Sequence, residues 1–111
     1  MIDWERVNTL RDEVGAEDFD EVVELFLDEV EEVVARLHAT PDLNTLEEDL
    51  HFLKGSALGL GFSAFSALCQ TGESLSAKGN ADAVDLPEIL KSYSDSKQVF
   101  QAEMQGALAP S

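Results

Sequence analysis

The chain is poor in cysteine, proline and basic residues, with one, three and seven respectively among 111 positions, and it has no long apolar run. A single cysteine excludes an internal disulfide, so covalent staples place no constraint on its compartment. No apolar stretch approaches the length needed to span a bilayer. The Met1-Ile-Asp-Trp start lacks the basic-then-apolar plan of a signal peptide, and a cytoplasmic location is expected. Seven basic against 23 acidic residues give a formal net charge of -16. That excess argues against nucleic acid and against anionic membrane surfaces as partners. The alternating pattern of strands is missing as well. The length allows one domain over residues 1–111, but no additional nucleotide-binding kinase domain.

What remains is helical. Asp3 is a candidate N-cap for a short first helix to about Val14, with Trp4 anchoring it and Gly15 stopping it. From about Asp18 to His38, Phe19, Val22, Val23, Phe26, Val30, Val33, Val34 and Leu37 recur at spacings of three and four while acids fill the other face. Thr40-Pro41-Asp42 breaks the chain. Asn44 with Glu47 forms a candidate capping box for a third helix, with Thr40 or Asp42 as other candidate caps. A fourth helix is predicted from Ser63 to Ala77, with Phe62, Phe65, Leu68, Cys69 and Leu75 inward and Lys78-Gly79-Asn80 as its stop. Asp85-Leu-Pro-Glu88 opens a fifth, in which Leu86, Ile89, Leu90, Tyr93, Ser96, Phe100 and Met104 share a face. A frayed tail is expected from Gly106 to Ser111. Short breaks force neighbouring helices to run in opposite directions, so the expected fold is all-α, an antiparallel up-and-down four-helix bundle capped by a short N-terminal helix. Such a bundle closes its own core, and a monomer is expected.

The chemistry concentrates in His51-Phe-Leu-Lys54-Gly55-Ser56-Ala-Leu-Gly59-Leu-Gly61. At roughly 100° per residue, Leu43, Leu46, Leu50, Leu53 and Ala57 fall within about 80° of one another and form a core stripe. His51 lies roughly 120° from its centre and is predicted exposed. Gly55 follows one turn later on the outward face, and Lys54 sits at the border of core and solvent. A glycine inside a helix costs about 1 kcal/mol against alanine. Gly55 either opens the surface beside the imidazole to an approaching group, permits a close helix crossing, or marks the helix end.

Other readings of these residues fail on spacing. Glu48-x-x-His51 matches a di-metal bundle element, but such ligands project into the core and need a second copy, and His38 has no glutamate three residues before it. No metal site is expected. Gly59-Leu-Gly61 is too short for a dinucleotide fingerprint, and no Lys-Ser/Thr ending makes a P-loop. Cys69 reads as a small core residue and His38 as a surface one.

His-x-x-Lys-Gly-Ser, with a glycine ten residues after the histidine, resembles the signature of histidine-containing phosphotransfer (HPt) domains of two-component phosphorelays. Phe65, Leu68, Cys69 and Glu73 stand where such domains carry a Leu, a Leu-Cys pair and a Glu or Gln on the next helix. The resemblance covers essentially the whole chain. It departs at Gly59, where the family often has a small polar residue able to support a hydrogen bond. It departs again at Gly72, in place of a usual Leu, which suggests looser packing there.

The resemblance implies a phosphorelay intermediate that turns over nothing by itself. His51 would accept a phosphoryl group, Lys54 would neutralise its oxygens, and Gly55, Ser56 and Glu73 would support them. Response-regulator receiver domains and a sensor or hybrid histidine kinase are the implied partners. The receiver would bring the aspartate and Mg²⁺, and this chain would bind no cofactor. Docking is expected around His51, on Glu47, Leu58 and Phe62. The initial Met and short tail lean toward a free protein rather than a module of a kinase. The competing reading is a non-catalytic helical interaction module.

Overall fold

A computed structural model of the chain describes residues 2–108. Five helices run in order: α1 (Trp4–Val14), α2 (Phe19–Ala39), α3 (Leu46–Leu60), α4 (Ser63–Ala77) and α5 (Leu86–Leu108), with a single 3-10 turn at Ala81–Ala83 before α5. Helices α2 to α5 pack as a four-helix bundle, each touching the next and α5 closing on α2, while α1 lies across α2 and α3. Among the described residues there is no strand, only an isolated antiparallel bridge between Ile2 and Phe62. No helix among them is long and apolar enough to cross a membrane.

Local signals set most boundaries. The Asp3 carboxylate accepts the Arg6 N–H at 3.1 Å, satisfying an orphan donor of the first turn of α1. Asp85 does the same for Glu88 N–H at 3.1 Å and starts α5. The third helix starts differently from expectation. Asp42 Oδ1 accepts the Asn44 N–H at 2.9 Å, an Asx turn that delays α3 until Leu46. Asn44 and Glu47 therefore form no capping box. Leu43 falls before the helix and is exposed, so it is not part of the core stripe.

The core is continuous across the bundle. Leu46, Leu50, Leu53, Ala57 and Leu60 of α3 meet Val23, Leu27 and Val30 of α2, Phe65 and Cys69 of α4, and Ile89, Tyr93 and Phe100 of α5. Burial pushes the Cys69 thiol up to about 12, consistent with an inert packing role. Trp4 anchors α1 by stacking on Phe100, with centroids 5.7 Å apart. The expected inward place of Met104 and the tail residues 109–111 lie outside what is described, and α5 runs through Leu108.

Phe62 corrects an expectation. It is expected on the docking surface, but it is 1% exposed and packs edge-on to Phe100 at 5.4 Å and against Tyr93 at 6.2 Å. The chain reverses just before it. Gly61 adopts φ 79°, a left-handed conformation that ends α3 and returns the Phe62 N–H to the Ala57 carbonyl at 2.8 Å. The same glycine leaves room for α1. The Asp3 N–H donates to Gly61 O at 2.7 Å, and a Cβ at Gly61 would come within 2.6 Å of Asp3 O.

Gly72 is a second correction. A Cβ there would lie 2.7 Å from Leu50 Cδ1 and 3.2 Å from both Ile89 Cδ1 and Val84 Cγ1. Packing at this point is tight rather than loose. Leu50 occupies the volume that a larger residue would have claimed.

Candidate functional site

Helix α3 carries the candidate histidine, and two contacts fix how it lies. On its inner flank, Asp49 accepts both Arg36 Nη1 and Nη2 of α2, at 2.9 and 2.7 Å, and the Thr45 hydroxyl at 3.2 Å. The Arg36 hydrogen bonds outweigh burial and hold the Asp49 carboxyl below its ordinary value. Near its end, Arg6 Nε of α1 donates to Gly59 O at 3.3 Å. Helix α3 is thereby held from two neighbours while its outer surface stays open.

His51 stands on that outer surface, with 70% of its side chain exposed. Its Nδ1 lies 2.8 Å from Glu73 Oε2 on α4, a helix neighbour that α3 packs against along its length. Opposite an ionised carboxylate, Nδ1 must carry the hydrogen, which leaves the lone pair of a neutral ring on Nε2. Lys54 Nζ reaches the other oxygen of the same carboxylate at 2.7 Å and donates to Gln70 Oε1 at 3.1 Å. Glu73 is thus shared by the imidazole and the ammonium. The Lys54 interaction first, and the His51 hydrogen bond after it, hold the Glu73 carboxyl below its ordinary value against the cost of burial.

Gly55 is one turn beyond His51, and a Cβ built on it meets nothing within 4 Å. No helix crosses there, and α3 continues to Leu60. Both structural explanations of this glycine therefore fail, leaving open surface beside the imidazole. Ser56 is partly buried and, five residues after His51, sits about 140° around the helix from it, away from the Glu73 side.

Of the three residues expected to meet a partner, Glu47 is exposed and Leu58 is 57% exposed, two turns beyond His51 on the same side of α3. Phe62 is in the core, as described above. Phe52, exposed next to His51 in sequence, and Leu25 on α2 are large apolar surface residues that periodicity alone did not single out. Phe26 of α2 bears on Gly59, where a Cβ would be 3.4 Å from its ring. This contact gives the absent side chain at Gly59 a packing reason. Gln70 was also missed. Its spacing of three from Glu73 places both on one face of α4, a signal legible once Glu73 is chosen.

Among the described residues no group of three or more His, Cys, Asp or Glu side chains is placed to hold a metal ion. The arrangement provides an exposed imidazole of fixed tautomer, a nearby ammonium and a cleared helix surface. Such a set suits an acceptor for an electrophile delivered by another molecule, since phosphoryl transfer depends mainly on positioning and charge neutralisation.

No curated protein and no solved structure matches the chain. The family model of the Hpt domain matches residues 21–109, which takes in all four bundle helices and the His51 face. The chain therefore belongs to the Hpt domain family, and that membership supports a histidine phosphotransfer role in two-component signalling.

Proposed function

We propose that His51 is the phosphoacceptor and that Nε2 is its attacking atom. The observation that carries this is the 2.8 Å contact between Nδ1 and Glu73, which sets the tautomer and turns the lone pair outward. A phosphoaspartate of a receiver domain, or a phosphohistidine of a kinase, would approach over Gly55, where no side chain intervenes. Lys54 is one turn of side chain away and would exchange part of its contact with Glu73 for the incoming phosphoryl oxygens. A module that only bound partners would have no use for this arrangement of imidazole, carboxylate and ammonium. Receiver domains would supply the aspartate and its Mg²⁺.

The partner surface follows from what surrounds the histidine. Leu58 and Phe52 offer apolar contact, and exposed Glu47 and Glu48 add negative charge on the same helix. A receiver with a small apolar centre and a basic rim fits this surface, in a transient interaction steered by charge. The test is incubation with a phosphorylated receiver or autophosphorylated kinase, comparing wild type with His51→Gln. Acid-labile label on wild type alone supports the assignment. Equal labelling of the variant, or no labelling of wild type across a broad receiver panel, overturns it.

A further inference from the structure

We propose that Glu73 keeps the proton on Nδ1 of His51 through the whole phosphoryl cycle, so that the phosphorylated chain carries a phosphoimidazolium rather than a neutral phosphoimidazole. The inference rests on His51 being the phosphoacceptor and concerns what happens to its second nitrogen.

The proton balance shows why the contact matters. Neutral His51 bears hydrogen on Nδ1 and a lone pair on Nε2. When Nε2 attacks a phosphoaspartate, the Nε2–P bond forms and the P–O bond to the acyl oxygen breaks. The electron pair leaves with the partner's carboxylate. The ring now carries phosphorus on one nitrogen and hydrogen on the other, and is a cation. In free solution only water faces the Nδ1 proton of such a ring. Here Nδ1 faces Glu73 Oε2 at 2.8 Å. Losing the proton would leave a nitrogen lone pair against a carboxylate oxygen, two acceptors in contact with no hydrogen between them. Retaining it gives a charge-assisted hydrogen bond.

The surroundings favour the same outcome. Glu73 has only 17% of its side chain exposed, so water competes poorly for the contact. Its ionisation is secured by Lys54 and His51 together. Glu47 and Glu48, exposed one turn N-terminal on α3, add negative potential near the ring, and Gln70 beside Glu73 on α4 is neutral. Lys54 is the opposing charge. Once a phosphoryl group sits on Nε2, its oxygens compete with Glu73 Oε1 for the ammonium, which leaves the carboxylate more fully to Nδ1.

The consequence is a relay that moves no proton. For transfer onward, an aspartate oxygen attacks phosphorus, the Nε2–P bond breaks, and the electron pair returns to Nε2 while Nδ1–H stays in place. The leaving group is a neutral imidazole instead of an imidazolide anion. This makes the phosphoryl group easy to pass on and also short-lived in water. A glutamine at this position would turn its amide and donate to a bare Nδ1, favouring the neutral, longer-lived form. Glu73 is a positioning residue in this account, since it touches neither phosphorus nor the partner.

The test uses the full chain with ring-¹⁵N-labelled histidine, phosphorylated by phosphoramidate, which needs no partner. Wild type, Glu73→Gln and His51→Gln are compared at pH 8 by ¹⁵N and ³¹P NMR, the last variant separating His51 from His38. The expected result is a protonated, pyrrole-type Nδ1 in wild-type phospho-His51, a bare Nδ1 in Glu73→Gln, and a phosphohistidine lifetime about tenfold longer in that variant. A bare Nδ1 in phosphorylated wild type, or equal lifetimes in two folded proteins, overturns the inference and leaves the His51 assignment standing. Absence of phosphorus from His51 Nε2 overturns both. The wild-type nitrogen shift decides the matter even if Glu73→Gln does not fold.

Discussion

Gly55 and Gly72 are both interior helix glycines on the paired helices α3 and α4, yet their surroundings are opposite. At Gly72 an added Cβ would meet Leu50, Ile89 and Val84 at 3.2 Å or closer, whereas at Gly55 it would meet nothing within 4 Å. Each glycine weakens its helix by about 1 kcal/mol relative to alanine. At Gly72 the core recovers that loss, because Leu50 enters the space. At Gly55 nothing in the fold does. A residue that costs stability without improving packing points to a requirement outside the folded chain, and here it lies one turn from His51 on the face left open by α2 and α4. The buried seams of α3 are governed by close contact and the outer face by clearance.

The sharpest way to break this comparison is to fill both spaces. Gly72→Val is expected to destabilise the protein by about 3 kcal/mol through overpacking, read as a lower midpoint in urea. A variant as stable as wild type would mean that Leu50 can withdraw and the seam is not tight. Asp49→Asn probes the α2 side of the same packed region. The Arg36 hydrogen bonds lower the Asp49 carboxyl below its ordinary value of 3.8, so their stabilisation is complete above that pH and is lost as pH falls through the depressed folded value. The melting temperature of Asp49→Asn should therefore lie below wild type at neutral pH, with the gap closing below about pH 4. A gap that is constant with pH would remove the ion pair from the explanation.

Gly55→Ala gives the smallest change in stability and has the opposite sign. It should stabilise the fold by up to about 1 kcal/mol, since the site is helical and empty. Phosphoryl transfer from a receiver should slow, while labelling by phosphoramidate, which needs little room, should not. Slowing of both reactions would mean that Gly55 acts on the histidine itself rather than on docking.

Much of the fold was legible because its determinants are local. Asp3 and Asp85 cap their helices by accepting the backbone N–H three residues on, and the spacing of Phe19 to Leu37 follows one helix face. Exposure of His51 followed from phase alone. The failures arose where a local turn or a distant segment overrides helix phase. Leu43 continued the α3 stripe arithmetically, but the Asp42 turn kept it out of the helix. Phe62 belonged by sequence to the rim of the site and was drawn inward by Ile2, Tyr93 and Phe100, which arrive from both ends of the chain. Gly72 looked like a deficit because the side chain that fills it belongs to α3. The Arg36–Asp49 and Lys54–Gln70 pairs join different helices, and periodicity along one helix carries no information on them. Glu73 was reached through family resemblance, while its shared contact with His51 and Lys54 became visible only with α3 and α4 side by side.

The central claim is that the open face of α3 presents Nε2 of His51 to a phosphoryl donor. Its most direct test is to phosphorylate ring-¹⁵N-labelled protein from a phosphorylated receiver domain and locate the phosphorus by ³¹P–¹⁵N coupling. The account predicts coupling to Nε2 of His51 alone. Coupling to Nδ1, or phosphorus on any other residue, would contradict it.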